Sequence, residues 1–217
     1  MHIEREAAGV EASYGVSSRE PEEQRSLTAG FRDRHVVNLA GLVRGPLLQD
    51  VVDDVGGARF RQMDVAGITR ESRMDAPSVL ARLLFWANDP RVVEFVRDVS
   101  ACSDIGWFIG RVYRFEPAAD HYAAWHDDAF EGRRVALSLN LSEGPLQGGE
   151  LLIRRKGDGD PPPMAYGPAG DALLFRVSEA LEHRVLPVRG TTPRTAFVGW
   201  YVAGASFADA VAQARVP

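Results

Sequence analysis

After residue 105 the chain changes to short alternating runs cut by turn residues, and this pattern limits the possible folds most. Residues 133–142, RRVALSLNLS, set Val135, Leu137, Leu139 and Leu141 against Arg134, Ala136, Ser138 and Asn140. A period of two belongs to a strand, whose successive side chains point to opposite faces. Further strand-like runs fall at residues 107–115, 150–156, 171–177, 183–189 and 194–202, separated by segments rich in Gly and Pro. No helices alternate with these runs, and neither a Gly-x-Gly-x-x-Gly after a strand nor a phosphate-binding Gly-Lys-Ser/Thr loop is present. The pattern therefore argues against a doubly wound parallel sheet. The pattern predicts a mainly β fold with supporting α-helices, in the form of a double-stranded β-helix, the cupin-like jelly roll.

The helical support is expected over residues 44–99. Leu47, Leu48, Val51, Val52 and Val55 form a helical stripe, with Pro46 suited to a first turn. Residues 77–99 hold a second apolar face, interrupted at Asn88-Asp89-Pro90 because proline is costly inside a helix. Two helices are expected there. Short strands are expected near residues 35–43 and 58–63, and residues 64–73 read as a polar loop. Residues 1–34 read as a polar arm or short helix and residues 208–214 as a short closing helix. Residues 35–217 would then form one domain, with a jelly-roll core over 105–202.

Apolar content of 45% and charged content of 25% are ordinary for a globular chain with a packed core. A net charge of −5 argues against a general nucleic-acid binder. The N-terminal residues lack the apolar stretch of a signal peptide, and no 18-residue apolar run is present, so no membrane span is expected. Cys102 is the single cysteine, which fits a reducing, cytoplasmic setting.

Within this framework, His126 and Asp128 are separated by one residue. In an extended segment they point the same way, imidazole beside carboxylate. His183 follows 57 residues later in another expected strand. Two imidazoles and one carboxylate make the facial triad of a mononuclear non-heme iron site, which leaves positions open for other ligands.

The ordered set of motifs resembles the 2-oxoglutarate- and Fe(II)-dependent oxygenases, especially their prolyl 4-hydroxylase-like branch. The matching pieces are Tyr113, the sequence His126-Asp127-Asp128, LNLS at 139–142, GGEL at 148–151, PAGDALLF at 168–175, His183, Arg194 and Trp200. The resemblance implies that His126, Asp128 and His183 ligate Fe(II). It implies that Arg194, 11 residues beyond His183, binds the distal carboxylate of 2-oxoglutarate, with Tyr113 donating to the same group and Asn140 beside the cosubstrate. A guanidinium suits that task because it offers a rigid two-donor fork. Gly148 and Gly149 read as backbone geometry, and Phe175 and Trp200 as packing around the metal chamber. Where the prolyl 4-hydroxylase branch usually carries lysine at the anchor, this chain has Arg194. Asp128 keeps the carboxylate that halogenating relatives replace, which favours hydroxylation.

The resemblance thus implies a hydroxylase using Fe(II), 2-oxoglutarate and O2 on an unactivated C–H bond, with no catalytic side chain beyond the metal centre. Its substrate would be a small molecule such as an amino acid or natural-product intermediate. Trp125, Tyr122 and Arg133 are the expected substrate contacts, since the family's aromatic usually lies three residues before the first ligand, whereas here Tyr122 is four before and Trp125 adjacent. The alternatives are an oxygenase acting on a protein side chain, a cupin-type dioxygenase without 2-oxoglutarate, and a jelly-roll protein that binds metal or ligand without oxygenase activity.

Overall fold

The computed structural model describes residues 20–209. The expected arm over residues 1–19 and the closing helix beyond residue 209 lie outside the described residues. Four helices precede the main run of strands: α1 (Pro21–Arg34), α2 (Gly45–Gly57), α3 (Pro77–Ala87) and α4 (Pro90–Ser100). Each starts with proline in its first turn. There the missing N–H costs nothing and the fixed φ is already helical. Asp89 caps α4 by accepting a hydrogen bond from the Arg91 amide at 2.9 Å, satisfying one of the free donors of a helix start.

The strands are β1 (Val36–Leu39), β2 (Phe60–Val65), β3 (Thr69–Met74), β4 (Ile105–Phe115), β5 (Tyr122–His126), β6 (Arg133–Asn140), β7 (Gln147–Gly148), β8 (Leu151–Arg155), β9 (Ala172–Arg176), β10 (Leu181–Val185), β11 (Val188–Arg189) and β12 (Arg194–Ala203). Ten of them form one sheet in the order β1-β9-β6-β12-β4-β3-β5-β10-β8, with β2 paired to β3, and β7 pairs with β11. All the pairings are antiparallel. The sheet is a nearly closed jelly roll, the double-stranded β-helix expected from the alternating runs.

Alternate residues of the central strands feed two separate cores. Val135, Leu137 and Leu139 of β6 join Phe108 and Val112 of β4 and Phe197 and Tyr201 of β12 against the helices. Ala136, Tyr113, Phe115, Phe175 and Ala196 pack inside the roll. Both faces of β6 are therefore buried from Val135 to Asn140, and the apolar/small-polar alternation marks two interiors, with neither side facing water. Asn88, at the break between α3 and α4, bonds both backbone groups of Phe108, accepting from its N–H at 2.7 Å and donating to its carbonyl at 3.0 Å. This side chain occupies the edge of β4 where β3, paired only at Tyr113 and Arg114, does not reach.

Residues 64–73 correct the sequence reading. They belong to a β2–β3 hairpin, and β3 joins the two halves of the roll. β2 is exposed along most of its length, so no buried face imposed the hydrophobic alternation by which a strand is recognised.

Candidate metal centre

His126 and His183 are direct partners across β5 and β10, with ring centroids 4.3 Å apart. Asp128 lies just past β5 in a turn closed by the Phe130 amide donating to the Asp128 carbonyl. Its Oδ2 is 3.9 Å from His126 Nε2 and 3.5 Å from His183 Nε2. One donor atom from each of the three residues lies within 4.8 Å of the others, a spacing that a single ion with two imidazole ligands and one carboxylate can bridge. His126 Nδ1 lies 2.7 Å from the Ala124 carbonyl. That contact favours the proton on Nδ1 and leaves Nε2 as the lone-pair donor. Burial, reinforced by His126, pushes His183 down to about 4, so its imidazole is neutral and available to a metal at neutral pH.

The triad opens on a cavity of about 370 Å³. At one end, Arg194 is 1% exposed. It donates from Nη1 to the Tyr113 hydroxyl and from Nη2 to Ser138 Oγ at 3.1 Å. Its guanidinium lies 4.2 Å over the Tyr166 ring. Arg194 forms no salt bridge among the described residues, and its Nε and the Tyr166 hydroxyl are buried without hydrogen-bond partners. Burial, opposed by Arg194, pushes Tyr113 up to about 12, so it remains a neutral donor. Tyr113, Ser138 and Tyr166 line the same cavity as the triad. Arg194 itself does not line the cavity; it is a buried guanidinium without a carboxylate partner among the described residues, lying behind the Tyr113, Ser138 and Tyr166 wall, and a buried charge is costly until it is paired.

Gly149 makes room for this fork. Its φ is +74°, and a Cβ added there would lie 2.7 Å from Arg194 Cδ. Only glycine accepts both the left-handed backbone and the close approach.

The other end is charged and aromatic. Glu71 is buried and accepts from Arg73 Nε and Arg111 Nε, each at 2.7 Å, and from Arg111 Nη2 at 3.2 Å. Arg133 stacks between Trp200 and Phe130, at 3.6 and 3.7 Å from the ring centroids, and its Nη1 is 3.5 Å from Asp128 Oδ1. Trp200 Nε1 donates to Asp128 Oδ2 at 2.9 Å. Trp200 therefore holds a triad carboxylate in addition to packing.

Three residues expected near bound ligands lie elsewhere. Asn140 is held by backbone: Nδ2 donates to the Gly167 carbonyl at 2.8 Å, and Oδ1 accepts from the Ser142 amide at 3.0 Å. Ser138, two residues earlier on the same face of β6, takes the place beside Arg194. Trp125 and Tyr122 do not line the cavity. The β5 and β10 partners run from His126↔His183 to Ala123↔Val185, a bulge that adds one residue to β5. Ala123 and His126 both line the cavity as a result. Trp125 instead lies against Arg154 and Arg184, at 3.9 and 4.9 Å. The bulge accounts for Tyr122 giving way to Ala123 and is invisible to simple alternation, whereas Trp125, next to the inward-facing His126, points away by alternation itself.

Ser138, Tyr166, Glu71 and Arg111 escaped the sequence reading. Ser138 carried a faint signal as a small polar residue facing the interior beside Ala136. Tyr166, in the Pro-rich segment at 157–170, carried none.

A family model described as the 2OG-Fe(II) oxygenase superfamily matches residues 110–202. No curated protein matches the chain. Among solved structures, an oxidoreductase of the 2OG-Fe(II) oxygenase family from Burkholderia pseudomallei is 19% identical, with a TM-score of 0.61 over 85% of this chain and 94% of that one. A Pseudomonas putida prolyl-4-hydroxylase is 18% identical, with a TM-score of 0.58 over 83% of this chain and 99% of its own. The non-heme α-ketoglutarate-dependent epimerase SnoN from nogalamycin biosynthesis is 15% identical, with a TM-score of 0.62 over 85% and 84%.

Proposed function

We propose, from the premise that the chain has the 2-oxoglutarate/Fe(II) oxygenase superfamily fold with its His–Asp–His triad and is related to prolyl-4-hydroxylase-like structures, that it hydroxylates an unactivated C–H bond of a small molecule. The observation that carries this reading is Arg194, a buried arginine without a salt-bridge partner among the described residues, in contact with three residues that line the triad's cavity. A protein that bound only a metal there would have no use for an uncompensated guanidinium, which is costly to bury.

In this reading His126, Asp128 and His183 hold Fe(II), while Arg194, Tyr113 and Ser138 take the distal carboxylate of 2-oxoglutarate. When bound, the iron and cosubstrate supply the oxidising chemistry: one oxygen atom of O2 enters the substrate C–H bond, and the other enters succinate as 2-oxoglutarate loses carbon dioxide. The chain's residues bind and orient. Trp200 fixes Asp128, the Ala124 carbonyl fixes His126, and the aromatic rings of Tyr113, Tyr166 and Phe175 shield the chamber from water. Aspartate at position 128 supports hydroxylation over halide transfer. No helix among the described residues is long and apolar enough to cross a membrane, and the lone Cys102 accords with a reducing, cytoplasmic setting.

The test is a metabolite screen for O2-dependent succinate release with Fe(II) and 2-oxoglutarate. We expect turnover that rises with one class of metabolite and disappears in Asp128→Ala (D128A). Metal binding with no consumption of 2-oxoglutarate under any condition would refute the assignment.

A further inference from the structure

The charge of the cavity does not balance. Arg73, Arg111 and Arg133 line it, and Arg194 lies against its Tyr113 and Ser138 wall. The facing carboxylates are Glu71 and Asp128. Two positive charges are thus in excess inside a chain whose net charge is −5. A divalent metal and a dianionic cosubstrate add equal and opposite charge, so a loaded site keeps the excess. Apolar walls such as Val185, Val198 and Phe175 limit how well water can compensate it.

The arginines differ in what they have left to give. Arg111 and Arg73 both use Nε on Glu71. Arg133 has no comparable partner. Its Nη1 is 3.5 Å from Asp128, and its Nη2 is 3.8 Å from Glu131, a side chain 69% exposed to solvent. Its side chain is 9% exposed, and its Nε is buried without a hydrogen-bond partner. Trp200 and Phe130 clamp the guanidinium between their faces. Stacking fixes the plane, so a carboxylate meets the guanidinium at its edge, in competition only with the long contacts to Asp128 and Glu131. Asp128 contributes its charge to the metal when one is bound, which leaves Arg133 the least compensated cation bordering the triad.

The same cavity is lined by large apolar side chains that remain open to solvent. Val65, Ile68 and Phe130 are 39%, 40% and 52% exposed. Val65 and Ile68 come from the β2–β3 hairpin and the turn within it, beside the cluster of arginines. A volume of about 370 Å³, part of it taken by the cosubstrate, suits a small ligand.

We propose that the substrate is a small carboxylic acid with an apolar body, its carboxylate seated on Arg133 and its body against Val65, Ile68 and Phe130. This rests on the oxygenase reading above. The oxidised carbon then lies near the carboxylate, because the same guanidinium borders a ligand of the metal. Glu71 ties Arg73 and Arg111 together through Oε1, which accepts from both Nε atoms and leaves these two cations paired.

The test is anaerobic calorimetry on the full chain loaded with Fe(II) and 2-oxoglutarate, so that affinity is read without turnover. Phenylacetate and 4-methylpentanoate are compared with phenylacetamide and 4-methylpentanamide. We expect each acid to bind about tenfold or more tightly than its amide, as a charge-assisted pair demands. In Arg133→Gln each pair should come within about twofold, and Arg133→Lys should fall between, since it keeps the charge and loses the fork. Equal affinity for acid and amide in the wild type, absence of binding at millimolar acid, or an unchanged preference in Arg133→Gln would overturn the proposal. The wild-type comparison stands even if a variant fails to fold. Failure to bind 2-oxoglutarate would bring down the functional assignment and this inference together, whereas 2-oxoglutarate binding without acid preference would remove this inference alone.

Discussion

Trp200 donates its indole N–H to Oδ2 of Asp128 at 2.9 Å, while its ring face carries the guanidinium of Arg133. One side chain thus orients a triad carboxylate and supports the neighbouring cation. Trp200→Phe keeps most of the apolar ring and deletes the donor. Metal affinity should fall about tenfold, the lower end for lost outer partners of a metal ligand, with little change in melting temperature. Metal titrations of both proteins by calorimetry check this, and an unchanged affinity would remove the orienting role.

Arg194 carries opposite consequences for stability and binding. Its buried charge has no salt-bridge partner among the described residues. Arg194→Met should therefore raise the melting temperature of the ligand-free protein, because an uncompensated buried cation opposes folding. The same change should weaken 2-oxoglutarate binding by about 10- to 100-fold, the worth of a charge-assisted hydrogen-bonded pair. Thermal melts with and without 2-oxoglutarate measure both effects. A lower melting temperature without ligand and unaltered ligand affinity would contradict the anchor role.

Gly149 predicts a selective defect. A methyl group there meets the Arg194 stem and imposes a strained left-handed backbone at φ +74°. Gly149→Ala should cost about 1–2 kcal/mol of stability and weaken 2-oxoglutarate binding, while metal affinity stays near wild type because the triad comes from β5, the turn after it and β10. Denaturant titration and separate metal and cosubstrate binding curves resolve the three quantities.

Glu71 sets an acid limit. Burial alone would raise its pKa, but hydrogen bonds and charge from Arg111 and Arg73 outweigh that and hold it below its ordinary value of 4.5. The unfolded chain therefore takes up the proton first as pH falls. The stabilisation from ionised Glu71 is fully present above pH 4.5 and is lost as pH drops through the lower folded-state value. Wild type should exceed Glu71→Gln in melting temperature at pH 7, and the gap should narrow as pH falls below 4.5. A gap constant from pH 7 to pH 3 would show that the carboxylate charge is not what binds the two arginines.

Much of this architecture was legible in sequence because short-range rules carried it. Alternation placed β6, turn residues bounded β4, β9 and β12, Pro46 and Pro90 marked a helix start and a helix break, and His126, Asp128 and His183 come together as the family resemblance implied. The misreadings share a physical origin. Ser138 and Asn140 share one face of β6, so alternation could not distinguish Ser138 at the cavity from Asn140 bonded to backbone. The extra residue in β5 puts Ala123 in place of Tyr122 on the cavity side with His126, which no period of two can reveal, whereas Trp125, adjacent to His126, faces away by alternation itself. The β2–β3 hairpin lacks a buried face on β2, so its polar residues read as a loop. Tyr166 reaches Arg194 from an irregular segment whose path depends on long-range contacts, including the Gly167 carbonyl held by Asn140.

That the triad and Arg194 form one site for a metal and 2-oxoglutarate together is tested most directly by anaerobic calorimetry of 2-oxoglutarate into the protein, with and without Fe(II). We expect strong binding only with the metal present, no binding in Asp128→Ala, and retained metal binding with loss of 2-oxoglutarate in Arg194→Gln. Tight metal binding by the wild type with no affinity for 2-oxoglutarate would contradict it.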